Sequence, residues 1–264
     1  MRKAMAILVG VGMLLGNAGA DIYSAAQKGD WSEVTRQVEE QPSLINAANE
    51  GHTGETILHI ACERASADIV VHLLEKGADI NAADKYGITP LLIAIESETN
   101  TIVDLLIAKG ANVNLPDKYG MTPLHRATRK RNVALMDALL AAGAKIDAPS
   151  RAIGDELSEG DTPLLLAAKA GYVPIARHLI AKGAEVDLAD KRGLTPLHIA
   201  VLKEDVELLD LLLKSKANVN AKTKAGATPL SIAIAKENSC AEILLQHGAI
   251  EGTPFQEEDA PPDL

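Results

Sequence analysis

The chain reads as an all-α repeat solenoid, a stack of about seven helix-pair units. Three observations lead there. Gly-x-Thr turns recur at Thr56, Thr89, Thr122, Thr162, Thr195 and Thr228, spaced by 33, 33, 40, 33 and 33 residues. A near-constant period of this length marks one supersecondary unit copied in tandem. About twenty residues after five of the six turns stands a helix-ending glycine, at Gly77, Gly110, Gly143, Gly183 and Gly248, always followed by alanine. Between turn and glycine lie two short apolar-periodic segments, such as Pro90–Ile95 and Thr101–Ala108. Neither is long enough to persist alone, so copies must be stacked to share a core.

Within a copy, each residue type has a physical role. Gly54, Gly87, Gly120, Gly160, Gly193 and Gly226 precede the threonines by two positions, where a tight turn favours a residue free of Cβ strain. The Thr hydroxyl is placed to cap the first helix. Pro90, Pro123, Pro163, Pro196 and Pro229 then fill its first position, where a missing N–H is harmless; Ile57 stands there in the first full copy. Lys216 interrupts the series of helix-ending glycines. If its backbone keeps the left-handed conformation, that costs about 1 kcal/mol.

The strings Thr122-Pro123-Leu124-His125-Arg126-Ala127 and Thr195-Pro196-Leu197-His198-Ile199-Ala200 resemble the ankyrin-repeat signature, as do the endings Gly77–Asn81 and Gly110–Asn114. The resemblance covers residues 21–252. It implies a β-turn finger and two antiparallel helices per copy, stacked into a curved right-handed solenoid. On that frame 21–50 is an N-terminal cap, since it lacks the Thr-Pro-Leu string. Repeats follow at 51–84, 85–117, 118–150, 160–190 and 191–223, with a C-terminal cap repeat at 224–252. The 40-residue spacing places an insertion at 148–159, carrying Asp155, Glu156 and Glu159. It reads equally as a binding loop or as a tolerated surface loop.

Both ends differ in composition. Arg2 and Lys3 precede the apolar run Ala4–Leu15, and Ala18-Gly19-Ala20 offers a small-residue cleavage site, so 1–20 reads as a signal peptide with mature sequence from about Asp21. Twelve apolar residues fall short of the roughly 20 of a membrane span. The expected location is therefore periplasmic or secreted. Residues 253–264 are acidic and proline-rich and read as a disordered tail.

Arg2 and Lys3 are the only charges of the leader, so the remainder holds 24 Lys+Arg against 36 Asp+Glu. Such an acidic field argues against nucleic-acid binding, and no second long apolar run suggests membrane contact after cleavage. The two cysteines, Cys62 and Cys240, fall five repeat steps apart, beyond disulfide reach of about 7 Å, and read as buried apolar side chains.

Chemistry-bearing patterns are scarce. His59, His125 and His198 share one register, which in ankyrin-like units implies a structural hydrogen bond rather than catalysis. Successive ones lie two copies apart, too far to share a metal with bonds of about 2 Å. Neither a nucleophile elbow nor a phosphate loop is present, so no enzyme, cofactor or metal is expected.

A recognition role remains, and three features carry it. The insertion is one. The second is the acid-free stretch from Lys118 to Met136, where Arg129 and Lys130 give local positive charge. The third is the set of turn residues that vary between copies: Tyr86, Ile88, Tyr119, Met121, Arg192 and Leu194. By resemblance these face a protein partner on the concave side, and aromatic and Arg residues dominate such contacts. The chain is expected to act as a monomer. Exported ankyrin proteins of this kind include supporters of periplasmic antioxidant enzymes and neutralisers of toxins. A secreted factor acting on a host protein is the alternative.

Overall fold

The computed structural model describes residues 22–50, 53–64, 66–151 and 159–256. The expected signal peptide, the middle of the insertion and the end of the tail lie outside them. The described residues divide into two compact units, one ending at Asp117 and the other beginning at Lys118.

The first unit opens with α1 (22–28) and α2 (Trp31–Glu40), followed by a 3-10 turn at Pro42–Asn46. Two helix pairs follow: α3 (Ile57–Arg64) with α4 (Ala67–Glu75), and α5 (Pro90–Glu96) with α6 (Asn100–Ala108). Helix α3 packs on α5, and α4 on α6. The second unit repeats this four times. Its pairs are α7 (Pro123–Arg129) with α8 (Val133–Ala141), α9 (Pro163–Lys169) with α10 (Val173–Ala181), α11 (Pro196–Leu202) with α12 (Val206–Lys214), and α13 (Pro229–Ala235) with α14 (Cys240–Gln246). First helices form one layer, α7 on α9 on α11 on α13, and α10 packs on α12 in a second layer.

Local chemistry starts each first helix where the sequence indicates. Thr89, Thr122, Thr162, Thr195 and Thr228 are N-caps whose hydroxyls accept the amide three residues on, with Pro next in every case. One turn of such a cap is worth about 1 kcal/mol. The rest comes from burial: Leu124, Leu164 and Leu197 of the first helices and Leu139, Leu179 and Leu212 of the second are 0% exposed. Lys216 does keep the left-handed conformation, at φ 64°.

The β-turn fingers implied by the resemblance are not formed. Among the described residues there is no strand, and the reason is visible in the hydrogen bonds. Asp84 Oδ1 accepts the amides of Tyr86 (2.7 Å) and Ile88 (2.8 Å), and Asp190 Oδ1 those of Arg192 and Leu194 (2.9 Å each). The side chain thus takes the amides that a β-ladder would need. One backbone bond closes each turn, Asp84 N–H to the Ile88 carbonyl (3.0 Å) and Asp190 N–H to that of Leu194 (3.0 Å). A further bond ties turn to preceding turn, as from Lys191 to Glu159 (2.7 Å) and from Lys224 to Arg192 (2.9 Å). This close approach requires Gly193: a Cβ there would sit 2.8 Å from the Lys224 nitrogen.

Candidate recognition surface

The three histidines of shared register set the turns rather than any reaction. His59 Nδ1 accepts from the Thr56 amide (3.1 Å), so its proton is on Nε2, which donates to the Ile88 carbonyl (3.0 Å). His125 repeats this with Thr122 (3.2 Å) and the Asp161 carbonyl (3.0 Å). His198 Nδ1 accepts from Thr195 (3.1 Å), and its Nε2 faces the Ala227 and Ala221 carbonyls without a full hydrogen bond. Burial holds the His59 pKa below its ordinary value and pushes that of His198 down to about 4. His59 and His125 are thus struts joining the turn of one copy to the next.

On these turns the expected partner-binding residues separate into two groups. Tyr86 is 44% exposed, its amide pinned by Asp84. Arg129 and Arg192 are exposed, while Ile88, Tyr119 and Lys130 are half-buried. The Lys118 ammonium lies 4.9 Å from the Tyr119 ring centroid. Met121 and Leu194, by contrast, are 2% and 1% exposed. Their side chains point into the stack and present nothing to a partner. Neighbouring turn positions Lys118, Arg151, Lys191 and Lys224 are exposed as well, giving each turn of the second unit at least one cation in a chain of net charge −10.

Sequence reasoning missed a buried charge cluster beneath these turns. Lys169 Nζ meets Asp161 Oδ1 (2.7 Å) and Asp190 Oδ2 (3.3 Å), with side chains 6%, 3% and 0% exposed. The ammonium bridges the turns of successive copies. The signal was present: Asp161 occupies the register that Met121 and Leu194 fill with apolar side chains.

A second missed feature is a row of left-handed residues that are not glycine: Glu98, Arg131, Glu204 and Glu237, at φ 57°, 53°, 51° and 50°. Gly171 takes the same place in its copy, at φ 69°. In the second unit two of these reach the next copy. Arg131 lies 5.1 Å from the Tyr172 ring, and Glu204 accepts from the Ser239 amide (2.9 Å) and hydroxyl (2.8 Å), bonds that lower its pKa.

Among the described residues no group of three or more His, Cys, Asp or Glu is placed to hold a metal ion, and no helix is long and apolar enough to cross a membrane. Cys62 and Cys240 are free and 0% exposed, and burial pushes their thiols up to about 12 and about 11.

A family model described as ankyrin repeats (3 copies) matches residues 22–117, 58–150 and 164–254. The chain belongs to the ankyrin-repeat family. Over 66 residues it is 39% identical to the serine/threonine-protein kinase VIK of Arabidopsis thaliana, covering 25% of this chain and 15% of the kinase. Over 75 residues it is 37% identical to a probable E3 ubiquitin-protein ligase of Oryza sativa subsp. japonica, covering 28% of this chain and 14% of the ligase. The matches thus span about one seventh of each relative. The family's turns and helix pairs are built for stacking, and they make the matched residues of this chain an ankyrin-repeat scaffold.

Proposed function

We propose that the chain is an exported protein-interaction module that holds a protein partner against its turns and the adjoining ends of its first helices. The observation that carries this reading is Tyr86, a large amphipathic side chain 44% exposed on a turn whose backbone is fixed by Asp84. An aromatic held on a rigid turn loses little conformational freedom on binding, which is what favours such residues as interface anchors. Ile88 flanks Tyr86 in the first unit, and in the second unit Tyr119, Arg129, Lys130 and Arg192 offer the same kinds of side chain on its own turns and first helices. The exposed cations steer an acidic partner and raise its association rate. Export is supported by the leader pattern of residues 2–20. Stabilising a periplasmic antioxidant enzyme or neutralising a toxin both suit such a module.

Photo-activated cross-linking in the producing cell tests the proposal. A photoreactive residue at Tyr86, Tyr119 or Arg192 is expected to give one discrete adduct in the extracytoplasmic fraction. The same residue at Arg177 or Glu207, exposed on second helices, is expected to give none. Adducts from the second helices alone, or an adduct confined to the cytoplasm, would overturn the reading.

A further inference from the structure

Beyond each helix pair, one side chain of the following loop grips the next copy. Asn46, Asp147 and Asn220 share this register, four residues after a helix end in the two later cases. Their Oδ1 atoms accept the amides of Asp79 (2.7 Å), Glu185 (3.2 Å) and Ile250 (2.8 Å). Asparagine adds a second bond. Asn46 Nδ2 donates to the Gly77 carbonyl (2.9 Å) and Asn220 Nδ2 to that of Gly248 (3.3 Å). The matching carbonyl for Asp147 is that of Gly183, and a carboxylate has only acceptors to offer it. Asp187 is the other acid of this register, but it is exposed and faces the neutral Asn218. Asp147 is half-buried and faces Glu185.

We infer that Asp147 is a proton-operated clamp between the copy at 118–150 and the copy at 160–190. Charged, it holds only the Glu185 amide; protonated, it also closes onto the Gly183 carbonyl. A protonated carboxyl is both an acceptor and an O–H donor, so it reproduces the two bonds of asparagine. Burial raises the Asp147 pKa above its ordinary 3.8; the bond from the Glu185 amide opposes this without reversing it, and the Glu185 carboxylate raises the value further. Cations of the adjoining elements are engaged elsewhere or stand off. Lys182 at the end of α10 and His178 on it both meet Asp137 of α8 (2.7 and 3.0 Å), and Lys145 is exposed two residues earlier on the Asp147 loop. With the folded value above the ordinary one, protonation contributes its stability in full below pH 3.8, and that contribution is lost as pH rises through the folded value. Near neutrality this joint, directly before the insertion at 148–159, therefore lacks a bond that Asn46 and Asn220 keep.

Asp147→Asn in the full chain tests this, because asparagine makes both bonds at every pH. Urea unfolding at pH 7 is expected to show a higher midpoint for the variant. Its folded-to-unfolded ratio should rise about fivefold, the worth of one net hydrogen bond. At about pH 3.5, where the wild-type carboxyl carries its proton, the advantage should shrink. Comparing the two chains at each pH cancels the acid response of His198, which they share. Carboxyl titration by NMR is the second measurement, the Asp147 signal being the one that the variant lacks. Its midpoint in the folded chain is expected above 3.8. A variant no more stable than wild type at pH 7 overturns the inference, as does an advantage equal at both pH values. So does an Asp147 midpoint at or below 3.8, whatever the unfolding curves show.

Discussion

His198 shows how a residue that looks catalytic is spent on structure. Its Nδ1 must stay unprotonated to accept the Thr195 amide, and its Nε2 is buried near the Ala227 and Ala221 carbonyls without a full hydrogen bond. With a folded-state pKa near 4 against an ordinary 6.5, the unfolded chain takes up the proton first as pH falls. Stability is therefore full above pH 6.5, declines below it, and stops declining through this group near pH 4. The loss across that window is about 3 kcal/mol at most. Urea unfolding at pH 7 and pH 4.5 checks this against His198→Ser, the residue that Ser231 supplies at the same register in the next copy. The variant should lose part of the acid sensitivity; an equal slope would place the titration elsewhere.

Lys169 behaves differently because its partners are ions. Lys169→Met leaves the Asp161 and Asp190 carboxylates buried without their cation, an expected loss of about 3–5 kcal/mol. The next copy shows the repair, since Leu194 and Leu202 stand at the registers of Asp161 and Lys169. Asp161→Leu with Lys169→Leu should recover most of that loss, because Asp190 keeps the Arg192 and Leu194 amides. Chemical denaturation of both variants decides it. A double variant as unstable as the single one would show that the cluster is held for more than charge balance.

At the scale of the element, the sequence was informative wherever a local rule operates alone. The Thr-Pro starts of the first helices follow from capping and from the missing proline N–H, and the left-handed end at Lys216 follows from its place in a series of glycines. Tertiary hydrogen bonds were not legible. Nothing in the sequence marks the part played by Asp84 and Asp190, whose carboxylates remove the amides on which a β-ladder depends. Glu98, Arg131, Glu204 and Glu237 carry no glycine to mark their left-handed turns. Lys216 and Glu204 consequently should respond in opposite ways to glycine. Lys216→Gly relieves strain and should stabilise by about 0.5–1 kcal/mol. Glu204→Gly relieves similar strain but removes the bonds to Ser239, so its net gain should be near zero. Thermal melting of the two variants checks the contrast, and equal gains would mean that the Glu204–Ser239 link contributes nothing.

For the whole molecule, the period of 33 residues made stacked helix pairs legible, because every copy repeats the same caps and apolar faces. The division at Asp117 and Lys118 was not, since the repeat register runs through it unbroken. The recognition surface was legible only in part. Residue type pointed to Tyr86, Tyr119 and Arg192, but type alone could not distinguish them from Met121 and Leu194, whose burial is set by the neighbouring copy. The surface chemistry that remains is aromatic and cationic in an acidic chain, and the proposed function rests on it. Binding kinetics with the partner recovered by cross-linking test that claim most directly. Tyr86→Ala combined with Tyr119→Ala is expected to weaken binding by about 2–4 kcal/mol, mainly through faster dissociation. Arg129→Glu with Arg192→Glu should slow association, less so as salt is raised. Wild-type rates for both double variants would contradict the account and move recognition to the second helices.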